Sequence, residues 1–246
     1  MSIGMFVPVV HWPGSWVKLD DAEQARGHLA MAHIMNSGVQ DAALALHFFE
    51  SVWQEERPSS RSEWELRRDL TKLARARLGF DGTEGHDQWA TTVQIEVLQL
   101  LLQRGMMPAD YAHRALFVHA KSFLFALDNA ARALRSAAGM PGAPPPLSDV
   151  KDSWATHFPD LVAVRDTSHH PEDRLRGLGG PRRPPLPPGA IFLENLDGTV
   201  LSSTMANGEI GRVDISRESL KVASDLVNEA LATYEWEGSP NISPRA

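Results

Sequence analysis

The sequence predicts a mainly α protein: a helical bundle with one small antiparallel β-hairpin element before its last helix. Three observations predict it. Apolar residues recur at three- and four-residue spacing through most of the chain. Two proline-rich stretches, 139–146 and 177–190, separate long runs of that periodicity. Only residues 191–215 change character, with short extended runs split by the turn signals Asp197-Gly198 and Asn207-Gly208.

Composition bounds the rest. A chain of 246 residues, 43% hydrophobic, can bury a substantial core. Charged residues at 22% and seven tryptophans argue against disorder outside the proline-rich stretches. A formal charge of -7 gives no global attraction to nucleic acid, so such binding would need a local basic patch. With no cysteine, disulfides, thiolate nucleophiles and Cys-based zinc sites are excluded. Residues 1–17 are interrupted by Pro8, His11 and Pro13 and make a poor signal peptide. The longest apolar run, near 115–127, holds His119 and Lys121 and is too short to span a bilayer. A cytoplasmic protein with no membrane partner is the expectation.

The elements follow in order. Residues 1–18 read as an irregular surface arm. Asp20 caps a helix over 21–36, Asn36-Ser37-Gly38 breaks it, and a second helix runs over 39–55 with Leu44, His47, Phe48 and Val52 on one stripe. His47 and Glu50 have metal-ligand chemistry, but a lone pair three residues apart reads as the polar edge of that stripe, and no metal or cofactor is expected. Ser60 to Glu63 forms a capping box opening a helix to Leu78. Arg67, Arg68, Lys72, Arg75 and Arg77 make this the most basic helix, read as a solvated face rather than a nucleic-acid surface. Helices over 87–104 and 109–137 come next, the latter alanine-rich enough to suit the centre of a bundle. A further helix starts near Ser148 and is kinked around Pro159. Ser216 caps the last helix, and the tail beyond 238 is expected to fray. The division expected is an N-terminal helical extension over 1–80, a bundle over 81–238 and a tail over 239–246.

Chemistry concentrates in residues 164–174, Val-Arg-Asp-Thr-Ser-His-His-Pro-Glu-Asp-Arg. Two arginines, two histidines and three carboxylates follow an apolar helical run there. Such a cluster is also what a solvated helix end looks like, with Arg165 and Arg174 pairing with Asp166, Glu172 or Asp173. On a regular helix His169 would lie nearly above Arg165 and His170 about 140° round. Pro171 disfavours helical backbone at His170, so the helix should end or kink there.

Arg165-Asp166-Thr167-Ser168-His169-His170 resembles the signature of the HEPN superfamily, an arginine, a polar residue and a histidine four to six residues beyond the arginine. Pro171-Glu172-Asp173-Arg174 resembles the acidic ending of related helical proteins. The helical plan, with a hairpin before the last helix, is similar over roughly 85–236. The sequence departs from the pattern at Asp166, where asparagine is commoner, at Pro171, and in lacking a tyrosine two residues after His170. The resemblance implies a HEPN-like bundle and a metal-independent endoribonuclease acting through the RNA 2′-hydroxyl to give a 2′,3′-cyclic phosphate, in a stress, toxin or defence setting. It implies a homodimer, with an antitoxin-like protein as a further partner. Arg165 would grip the phosphate, and His170, with His169 the alternative, would move the proton. Asp166, Arg174, Arg176, Arg182 and Arg183 would bind the RNA around them. The other reading is a non-catalytic HEPN-like binding or scaffold protein whose motif pins a helix end.

Overall fold

The computed structural model describes residues 4–54, 60–79, 86–178, 185–187 and 191–244. Among them the protein is mainly α, with eight helices and small antiparallel sheets. No helix among the described residues is long and apolar enough to cross a membrane. The chain divides into two compact units, Met1–Glu50 with Phe117–Ala246, and Ser51–Leu116. Residues 1–80, expected as one extension, are thus shared between them.

The larger unit is built on α1 (Ala22–Gln54) and α4 (Ala109–Gly139), which extend beyond it in sequence. The break expected at Asn36-Ser37-Gly38 does not occur, and α1 is continuous through it. Tertiary contact explains why. A Cβ on Gly38 would meet the Ala126 carbonyl oxygen at 2.8 Å and the Ala130 Cβ at 2.9 Å. Glycine therefore serves close approach to α4 here, which outweighs its cost of about 1 kcal/mol in a helix. The alanines of α4 act in the same way: Ala120, Ala126, Ala130 and Ala137 are buried, beside Phe123, Leu124, Leu127 and Leu134.

Around this pair lie α5 (Pro146–His157), α6 (Leu161–His169), the short α7 (Pro171–Leu175) and α8 (Arg217–Ala232). Phe158-Pro159-Asp160 separates α5 from α6, a full break where a kink was expected. Ser216 caps α8 by accepting from the Ser219 N–H, as the sequence indicates. The arm and the tail pair with each other. Strand β1 (Val10–Trp12) runs antiparallel to β7 (Asn241–Ser243), and β2 (Trp16–Val17) to β6 (Trp236–Glu237). The tail expected to fray is therefore ordered as a strand to Ser243. Asn228 of α8 fixes the arm, accepting from the His11 N–H at 2.7 Å and donating to the Val9 carbonyl at 3.0 Å. The expected hairpin element is the sheet β3 (Glu194–Asp197), β4 (Val200–Thr204) and β5 (Ile210–Asp214).

The smaller unit contains α2 (Ser60–Arg77) and α3 (His86–Gln103). Leu70 and Ala74 of α2 pack on Val93 and Leu100 of α3, with Leu66, Leu78, Val97 and Leu101 around them.

Candidate functional site

Helix α6 carries most of the 164–174 segment and is held against the sheet at both ends. Leu161, Val164, Thr167 and Ser168 form its buried face. At its start, Asp160 accepts from the Arg212 N–H of β5 at 2.9 Å. In its middle, Gly211 of β5 lies so close to Val164 that an added Cβ would stand 2.8 Å from the valine methyl. Toward its end the Thr167 hydroxyl donates to the Thr204 carbonyl of β4 at 2.9 Å. A polar motif thus rests on an apolar and hydroxyl-bearing underside that fixes its orientation.

Arg165 is not directed to open solvent. Its side chain is 14% exposed, with Nη1 2.7 Å from Asp166 Oδ1 and Nε 2.8 Å from Asp128 Oδ2. The second contact is out of line for a hydrogen bond and acts through charge. Asp128, on α4, is 2% exposed and also faces Arg132 Nε at 2.7 Å and Arg135 Nη2 at 3.8 Å. Burial pushes its carboxyl above the ordinary value, against the pull of Arg132 and Arg135. Two carboxylates and three guanidiniums make one network, in which Arg165 has carboxylates on two sides.

The helix ends at His169. His170 leaves it at φ −127°, ψ 56°, and Pro171 opens α7, which is the break expected of a residue before proline. His170 Nδ1 lies 3.4 Å from Glu172 Oε1, and both side chains are exposed. The Glu172 carboxyl is held below its ordinary value by its own backbone N–H first and by His170 to a lesser degree. His169 is also exposed, its ring 4.7 Å edge-on from that of His170 and 5.9 Å from Phe125.

The expected phosphate-binding arginines separate sharply. Arg174 is 4% exposed, donating through Nε to the Thr167 hydroxyl at 3.2 Å and through Nη1 to the Leu178 carbonyl at 2.8 Å. It is therefore corrected from a surface contact to an interior brace, because α7 folds its side chain back onto α6. Arg176 is exposed at the end of α7. Arg182 and Arg183 lie outside the described residues.

Sequence reasoning missed Asp128, Arg132 and Arg135, although the spacing Asp128–Arg132 is the four-residue ion-pair spacing of a helix. It also missed Lys121, whose Nζ lies 2.7 Å from Glu194 Oε1, to which the Ser168 hydroxyl donates at 3.4 Å. Nothing in the sequence joins those three positions. His47 and Glu50 do not meet as ligands: Glu50 takes Arg217 through Nε at 2.7 Å and Nη2 at 2.8 Å. No cluster of three metal-ligating side chains exists among the described residues. No protein-family model, curated protein or solved structure matches this chain.

Proposed function

We propose that this protein acts by binding rather than by catalysis, as a helical scaffold whose 164–174 segment is an architectural latch. One observation carries the reading: the Arg165 guanidinium is set between Asp128 and Asp166. A phosphate would have to displace two carboxylates to be gripped there. Removing a partner from such a partly buried pair costs about 3–5 kcal/mol, which a single phosphate contact does not offset. The surface suited to binding lies in the smaller unit. A groove of about 560 Å³ runs between α2, α3 and the start of α4, floored by Val93, Val97 and Leu101, with Asp110 as the one carboxylate in its lining against Arg67 and Arg75. Arg67, Thr71 and Arg75 form one wall, spanning about 12 Å along α2. Beside it, Ile95, Leu98 and Leu102 leave an exposed apolar stripe on α3. An apolar floor beside two guanidiniums fits an amphipathic helix with acidic residues along one edge.

The ribonuclease reading retains one observation in its favour, the exposed pair His169 and His170 at the helix break. Incubation of the purified protein with total RNA in EDTA separates the two. Intact RNA is expected. Cleavage to 2′,3′-cyclic ends that disappears in His170→Ala would sink the binding reading and restore Arg165 as a phosphate ligand. For the groove, Leu98→Asp with Leu102→Asp should leave the thermal midpoint nearly unchanged and abolish capture of an acidic amphipathic helix.

A further inference from the structure

The larger unit has a cavity of about 240 Å³ where α1, β1 and β7 meet. His33 and Asn36 line it from α1, three residues apart and so on one face of that helix. Trp12 of β1, its register partner Asn241 of β7 and Ser243 supply most of the remaining lining. Two features set the cavity apart from a packing gap. The first is that its polar side chains are uncommitted: those of His33, Asn36 and Asn241 make no hydrogen bond among the described residues. Asn36 is 8% exposed and its Oδ1 is sealed in the interior, so the amide nitrogen is the end able to reach the cavity. Polar groups at that depth are almost always paired. The Ser243 hydroxyl accepts from Gln40 Nε2 at 2.7 Å and keeps its own O–H to donate. The second feature is charge. The lining holds no carboxylate, lysine or arginine, and His33 is its one titratable group.

These groups mix donors and acceptors. The Asn36 nitrogen and the Ser243 hydroxyl donate, the Asn241 amide does both, and neutral imidazole at His33 offers one nitrogen of each kind. A matching ligand must therefore donate and accept at several points without carrying charge. A carboxylate only accepts and an ammonium only donates, whereas a hydroxyl does both. A nucleobase also mixes the two, but it needs an open aromatic face to stack on. Trp12 has none to give, being 5% exposed with the His33 ring at 4.7 Å and the Trp236 ring edge-on at 5.8 Å. Pockets for drug-sized ligands run to about 300–1,000 Å³, so this smaller one admits a single ring.

We infer that this cavity is a binding site for one neutral sugar ring, its hydroxyls held by Asn36, Asn241 and Ser243 with His33 at the rim. The site is independent of the groove in the smaller unit and of whether the histidine pair is catalytic.

Calorimetric titration of the full chain with glucose, mannose and galactose tests it, with cyclohexanol, glucuronate and adenine as controls. At least one of the three hexoses should bind at millimolar concentration, and each control should bind more weakly than that hexose. Asn36→Ala and Asn241→Ala should each weaken the hexose by about tenfold, the loss of one hydrogen bond. Asn36→Ala should not lower the thermal midpoint of the free protein, because the side chain it removes bonds to nothing among the described residues. Asn241 lies on a strand at the surface, so its variant reads the site even if the helix position proves sensitive. No binding of any of the three hexoses, equal or tighter binding of a control, or full affinity in both folded asparagine variants would each overturn the assignment.

Discussion

The two compact units use the same side-chain chemistry in opposite ways. In the larger one, two arginines are interior architecture: Arg165 is set between Asp128 and Asp166, and Arg174 braces α7 against Thr167. In the smaller one, Arg67 and Arg75 line an open groove, and apolar residues such as Ile95 and Leu102 remain more than half exposed. Burial decides the difference. A guanidinium in a low-dielectric setting must find carboxylates or carbonyls, because leaving it unpaired costs several kcal/mol. At a hydrated groove water screens the same group, so a contact there contributes little and can be exchanged for another. An arginine count therefore says little about binding until exposure is known.

The contrast breaks most visibly at the acidic residues. Asp128→Ala removes the carboxylate facing three guanidiniums and should cost about 3 kcal/mol or more of stability, while the exposed Asp110→Ala should stay within about 0.5 kcal/mol. Urea denaturation of the two variants checks both. Equal costs would mean that the network around Arg165 is not structural.

A smaller effect sharpens the same point at the end of the motif. Arg174→Ala leaves the Leu178 carbonyl without its donor and should lose about 2 kcal/mol, whereas the neighbouring exposed Arg176→Ala should lose about 0.5 kcal/mol or less. Amide exchange should quicken in α7 for the first variant only.

The smallest expected effect is on pH. Burial holds His119 below its ordinary pKa of 6.5, so the unfolded chain binds the proton more readily and stability falls as pH drops through that value. Asp128, raised from 3.8, has the opposite sign: its folded state keeps the proton longer, so its contribution fades as pH rises above 3.8. Melting curves between those limits should therefore show a smaller acid-side decline in His119→Gln. An unchanged decline would assign it to other groups.

Local rules were legible in residue order. The helical periodicity, the hairpin turns at Gly198 and Gly208, the Ser216 cap and the helix end before Pro171 all depend on neighbours within a few positions. The Arg165–Asp166 pair was legible for the same reason. What the sequence alone could not decide was anything set by a distant partner. Gly38 reads as a breaker until Ala126 and Ala130 approach it, and the tail reads as loose until β1 supplies its hydrogen bonds. Arg174 reads as a surface charge until α7 turns it onto Thr167, and Asp128 gives no sign of belonging to the motif until α6 brings Arg165 beside it. Periodicity reports which face of an element is apolar, but the charge environment of a side chain depends on which other element covers it. Only the tertiary structure supplies that.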